Sequence, residues 1–177
     1  MKKEGEGTGK RLRQYAGIMA AVLIYYLVHE GAHLAYALCA GAFKEVLVLG
    51  PGMQVDIYAD RMSSTQLGIF CLAGPAATLV CGWCLTAAAE RICRSKSGLL
   101  RACGYYVTMV MLLLDPLYMS LLCGFFGGGD MNGVRLLMPE GAARAIFGGL
   151  LIAGGVAFMR RILPVYTSSF RQEGEAA

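Results

Sequence analysis

The sequence predicts a mainly α-helical membrane protein, a bundle of four transmembrane helices with a small β-hairpin between the first and the second. Three observations predict it. Hydrophobic residues make up 56% of the 177 residues and charged residues 16%, against about 45–50% and 25% in soluble domains. The apolar residues gather into four runs, each long enough for the ~20 residues that a helix needs to cross a bilayer. Lys and Arg crowd into the segments on one side of those runs. The net charge of +4 does not point to nucleic acid, and the partner that composition implies is the lipid bilayer itself.

Residues 1–13 are polar, glycine-containing and basic, and read as a flexible N-terminal tail ending in a juxtamembrane anchor. Residues 14–166 form a single membrane-embedded domain. Its first helix runs from about Gln14 to Ala40, with Gly41 placed to cap its C-terminus. Residues 43–60 change character. Glu45–Leu49 and Met53–Tyr58 are short β-prone runs around Gly50-Pro51-Gly52, a strong turn signal, and the second alternates Gln54 and Asp56 with Val55 and Ile57. A hairpin with one wet face is the expectation.

The second helix spans about Thr65 to Ile92, with cap residues at Ser63-Ser64-Thr65-Gln66. The step Gly74-Pro75 within it removes one helical hydrogen bond and lets another backbone or side chain approach closely. A third helix, about Leu99 to Phe126, contains Asp115-Pro116 and runs into the glycine-rich break Gly127–Gly133. Val134–Met138 reads as a short helical turn. The fourth helix covers about Ala142 to Leu163, ended by Pro164, with Ala145, Gly149, Ala153 and Ala157 forming a small-residue stripe suited to close packing. Residues 167–177 read as a loose polar C-terminal tail.

Seven cysteines lie mostly in the apolar runs, where cysteine behaves as a small hydrophobe. Cys81 and Cys84 have redox-pair spacing but fall inside a membrane helix, so packing is the expectation for them too. Counting Lys and Arg orients the bundle. Twelve lie in residues 1–13, 91–101 and 160–171, and four (Lys44, Arg61, Arg135, Arg144) lie in the alternate segments. That bias predicts a multi-pass protein, in the cell membrane, with both termini in the cytoplasm.

The chemistry concentrates in the first helix. His29-Glu30-Gly31-Ala32-His33 is an H-E-x-x-H pattern, and it holds both histidines of the chain. Four residues apart on a helix, the two imidazoles project from one face and can share a metal ion. Glu30 can reach the ion's open position, take a proton from a water there and pass it to a leaving amine. A charged group within an apolar span is costly and marks function more often than packing. A catalytic zinc takes three protein ligands as a rule, so with no third histidine a carboxylate must complete the set. Asp130 follows three glycines, at the end of helix three that matches the depth of His29 and His33. Asp115, near the middle of helix three, is the rival, and whichever of the two does not ligate is free to orient a histidine.

With these residues in hand, the chain resembles a compact member of the site-2-protease family of intramembrane zinc peptidases. The resemblance rests on His29-Glu30-Gly31-Ala32-His33, on Ala73-Gly74-Pro75 in the next helix, and on Gly129-Asp130-Met131-Asn132-Gly133 after the third. It covers most of residues 20–138. It implies that His29, His33 and Asp130 hold Zn2+, that Glu30 is the catalytic base, and that the substrate is a membrane-anchored protein. It also implies a hairpin close to the active site, able to pair with an extended substrate strand. Thr78 stands near the place where the family has an asparagine, and Met131-Asn132 separates Asp130 from the glycine that normally follows directly. Two other readings share the same residues: a non-catalytic membrane protein that binds zinc or a partner, and a transporter that relays protons or metal ions through them.

Overall fold

Helix α1 runs from Lys2 to Cys39 in a computed structural model that describes residues 2–49, 52–127 and 129–175. The expected C-cap is present in full. Gly41 adopts φ +66°, its N–H donates to the Leu38 carbonyl, and the Ala42 N–H donates to the Ala37 carbonyl, the paired bonds of a Schellman motif. The chain thereby turns straight into strand β1 (Phe43–Leu49), which pairs antiparallel with β2 (Gly52–Ile57). The predicted turn residues Gly50 and Pro51 lie outside the described residues. Alternation in β2 has the expected sense: Val55 is buried against Ala37 and Phe70, while Gln54 is exposed. On the wet side Lys44 lies 2.7 Å from Asp56, a hydrogen bond that holds the Asp56 carboxyl below its usual range and the Lys44 ammonium above its own.

Helix α2 (Ser64–Cys93) opens with a capping box, in which Ser63 Oγ accepts from the Gln66 N–H and the Gln66 side chain accepts from the Ser63 N–H. Helix α3 (Gly98–Leu117) is capped by Ser97 and continues as a π-helical turn over Tyr118–Leu122, closed by the Cys123 N–H on the Tyr118 carbonyl. Such a turn just after Pro116 re-spaces the backbone where the ring removes a donor. The short helix α4 is Gly129–Val134, so helical structure resumes at the third glycine of the break rather than at Val134 as expected. Helix α5 (Glu140–Ala157) follows. Among the described residues four segments are long and apolar enough to cross a membrane: Gly9–Cys39, Ser64–Cys93, Gly98–Leu122 and Glu140–Gln172.

Four expectations are corrected. Residues 2–13 are helical rather than a loose tail, because Lys, Glu, Arg and Leu favour the helix enough to carry the interspersed glycines as an extension of a long span. Pro164 does not end the last helix. A π-helical turn at Phe158–Ile162, closed by the Leu163 N–H on the Phe158 carbonyl, brings the proline into the first turn of α6 (Leu163–Glu175), where a missing N–H costs nothing. The segment from Thr167 is likewise not loose, since Ser169 Oγ donates to the Cys93 carbonyl and Tyr166 is buried with Ala89 and Ile162. Finally, the small-residue stripe is not the packing face of α5. Ala145, Gly149 and Ala153 are exposed, and the buried face is Ala143, Phe147 and Gly154, because Gly154 lets α5 lie against the α3 backbone at Leu112.

Helix α4 is held where the site needs it. Gly133 faces Cys71 and the Leu67 carbonyl, and Gly68 faces Leu137 and the Gly133 carbonyl, so α2 and α4 touch through two glycines with no room for a methyl group. Met119, Met131, Val134 and Phe147 fill the space between α3, α4 and α5. Outside this core Glu140 accepts from Arg144 at 2.8 Å and lies 3.3 Å from Arg135, pinning the end of α4 to the start of α5.

Candidate metal centre

His29 and His33 lie one turn apart on α1, both buried, with ring centroids 4.9 Å apart. Each has one ring nitrogen anchored and the other turned toward Asp130. His33 Nδ1 lies 2.8 Å from the Phe70 carbonyl oxygen. A carbonyl only accepts, so Nδ1 carries a proton, and in the neutral ring Nε2 presents a lone pair. His29 Nδ1 lies 3.2 Å from Asp115 Oδ2. Asp115 is itself fixed, accepting from Tyr25 Oη at 2.6 Å and from Thr78 Oγ1. The Tyr25 ring stacks at a tilt on His29, 5.2 Å away.

Asp130, on the first turn of α4, completes the constellation. Its Oδ2 is 3.1 Å from His29 Nε2 and its Oδ1 is 3.5 Å from His33 Nε2. His29, His33 and Asp130 each offer one atom able to bind a metal, and these atoms all lie within 4.8 Å of one another, so the group could hold an ion. Zinc bonds of about 2.0–2.1 Å in tetrahedral geometry set neighbouring ligand atoms about 3.3 Å apart, and the two Asp130 contacts bracket that value. The His33 contact is the telling one. A lone pair on Nε2 faces a carboxylate oxygen, two acceptors that repel unless a proton or a cation lies between them. The donor set (two imidazoles and one carboxylate) suits zinc, and the His29–Asp115 and His33–Phe70 contacts are the outer supports that ligating histidines need.

Helix α2 shapes the space in front of these atoms. A Cβ at Gly74 would stand 2.5 Å from His33 Nε2 and 2.7 Å from His29 Nε2. The glycine of the Gly74-Pro75 step is therefore the wall of the centre itself, which explains why a residue without a side chain is needed there. Gly74→Ala is expected to fold yet lose most of its metal, measured as zinc per protein after purification, because the methyl group occupies the ground between the two nitrogens.

Glu30 follows His29 on α1 without joining the converging ligand atoms, and one of its oxygens accepts from the Val55 N–H of β2 at 3.1 Å. β2 is paired only with β1, so this bond is made on its open edge. The hairpin is thus tied to the residue expected to be the base. At the other side Tyr118 Oη donates to the Gly127 carbonyl at 2.7 Å, and Gly127 and Gly129 adopt φ +80° and +40°, turning the chain sharply into α4 so that Asp130 faces α1.

Of the site residues expected from sequence, His29, His33 and Asp130 converge here and Glu30 does not join them; of the two carboxylates, Asp130 faces both Nε2 atoms, whereas Asp115 reaches only the far nitrogen of His29. Sequence reasoning missed Tyr25 and Phe70. Tyr25 lies one helical turn before His29, a spacing that signals a shared face. The Phe70 carbonyl has no sequence signal at all. Thr78, near the expected place of an asparagine, is fully buried and donates to Asp115 and to the Pro75 carbonyl, so its hydroxyl is spent within the support of His29. Cys81 and Cys84 are free thiols, and Cys81 packs beside the Ala21, Val107 and Met111 cluster. No family model matches the chain, and neither does any curated protein or solved structure.

Proposed function

We propose that this chain is a multi-pass integral membrane endopeptidase that uses zinc to cut membrane-anchored protein segments, with both termini in the cytoplasm. The observation that carries the reading is the meeting of His29, His33 and Asp130 from two separate helices, with Glu30 next to His29 in the chain. His29, His33 and Asp130 would hold the ion. When bound, zinc supplies Lewis acidity, polarising a scissile carbonyl and making water a better nucleophile near neutral pH.

The chain's own groups do the rest. Glu30 takes the proton from the attacking water and delivers it to the leaving amine. Asp115, held by Tyr25 and Thr78, keeps the His29 ring in its plane, and the Phe70 carbonyl does the same for His33. An extended peptide laid along the open edge of β2 would run past Glu30, and main-chain pairing there would unwind a helical substrate into the form a peptidase can cut. The resemblance to site-2 proteases rests on the same residues.

The test is cleavage by the purified full chain in vesicles containing a model single-span protein. A product that appears with the wild type, vanishes with a chelator and returns with added zinc supports the reading. Zinc-dependent ion flux across the same vesicles with no product would replace it with transport.

A further inference from the structure

A second site lies at the other end of the molecule. The α2–α3 connection and α6 border a shallow depression of about 400 Å3, largely open to the outside and lined by Cys93, Arg94, Ser95, Lys96, Arg101, Ser169 and Gln172. Every one of these side chains can donate a hydrogen bond, and no carboxylate lines the cavity among the described residues. Its walls are built rather than loose. Arg101, only 7% exposed, donates from Nη1 to the Ser95 carbonyl at 2.8 Å and lies beneath the Phe170 ring. Ser169 Oγ ties α6 to the last turn of α2 at Cys93.

The position is as informative as the lining. The second candidate span ends at Cys93 and the third begins at Gly98, so the cavity sits at the boundary between apolar helix and basic loop. Leu99 and Leu100, 47% and 53% exposed, stand on the first turn of α3 beside the cavity mouth, an apolar shoulder next to a cationic bowl.

We propose that this cavity binds a phosphate group, and that the ligand carrying it is an anionic phospholipid whose headgroup enters the bowl while its acyl chains lie along Leu99 and Leu100. Cations gathered this closely repel one another, and a phosphate offsets that repulsion while accepting from several donors at once. Arg and Lys at a membrane surface are drawn to anionic headgroups by the same field. The bound lipid bridges α6 to the α2–α3 connection and so stabilises the fold. This rests on insertion in a bilayer and is independent of peptidase activity.

The experiment compares the full chain with Arg94→Gln/Lys96→Gln, both exposed positions, and with Lys44→Gln/Arg61→Gln, which removes the same charge from the hairpin end. Each protein in neutral detergent is titrated with phosphatidylglycerol, phosphatidylcholine, glycerol 3-phosphate or inorganic phosphate, reading Tm and bound lipid by native mass spectrometry. Phosphatidylglycerol is expected to raise Tm of the wild type and of Lys44→Gln/Arg61→Gln alike, and to bind Arg94→Gln/Lys96→Gln roughly thirtyfold more weakly. Phosphatidylcholine is expected to do neither. Equal response to inorganic phosphate or glycerol 3-phosphate would keep a phosphate site and remove the lipid. Equal weakening in the two double variants, or none in either, would overturn the site.

Discussion

Asp130→Ala is expected to purify as a folded protein without metal. Among the described residues Asp130 is the one carboxylate that joins both Nε2 atoms, at 3.1 and 3.5 Å, and removing it leaves two imidazoles, too few for a catalytic zinc site. The loss should be complete at the zinc concentrations that saturate the wild type, and cleavage should go with it. Asp115→Asn gives the contrast. An asparagine there has one acceptor oxygen, enough for the Tyr25 side or for the Thr78 and His29 side but not both, and it presents no charge to His29, so metal affinity should fall about 10–100-fold rather than vanish. Elemental analysis of the three proteins, purified side by side, checks both. If the order were reversed, with Asp115→Asn empty and Asp130→Ala loaded, the ligand assignment would have to be exchanged.

Glu30→Gln is expected to separate binding from chemistry. Glu30 is not among the converging ligand atoms, and the amide can still accept from the Val55 N–H, so zinc content and Tm should match the wild type. Proton transfer is lost, and general acid–base removal lowers rates by about 10²–10⁴-fold, enough to take cleavage of a model membrane substrate below detection. The variant should also trap uncut substrate. Zinc-loaded Glu30→Gln that cuts at the wild-type rate would remove Glu30 from the mechanism.

Much of this architecture was legible because its signals are local. Apolar run length marks four helices long enough to cross a membrane, Gly41 marks the end of α1, Ser63 and Gln66 mark the start of α2, and alternation around Val55 marks the hairpin. The misses have a common cause. Pro164 reads as a stop only if the turn before it is a regular α-helix, and the π-helical turn at Phe158–Ile162 changes the spacing in a way no single residue announces. The stripe at Ala145, Gly149 and Ala153 has a packing pattern but faces outward, since which face of α5 is buried depends on Gly154 meeting the α3 backbone. The polar C-terminus was read as loose because its partners, Cys93 and Arg101, are far away in sequence.

By itself the sequence determined the pair His29 and His33, their helical spacing, and the adjacent Glu30, because these depend only on the pitch of one helix. Tertiary structure alone decided that Asp130 and not Asp115 faces both imidazoles, that Gly74 walls the centre, and that the Phe70 carbonyl fixes the tautomer of His33. The physical reason is that those contacts join helices separated by tens of residues, and their geometry is set by how closely glycine-bearing backbones can approach, a distance that no local pattern encodes.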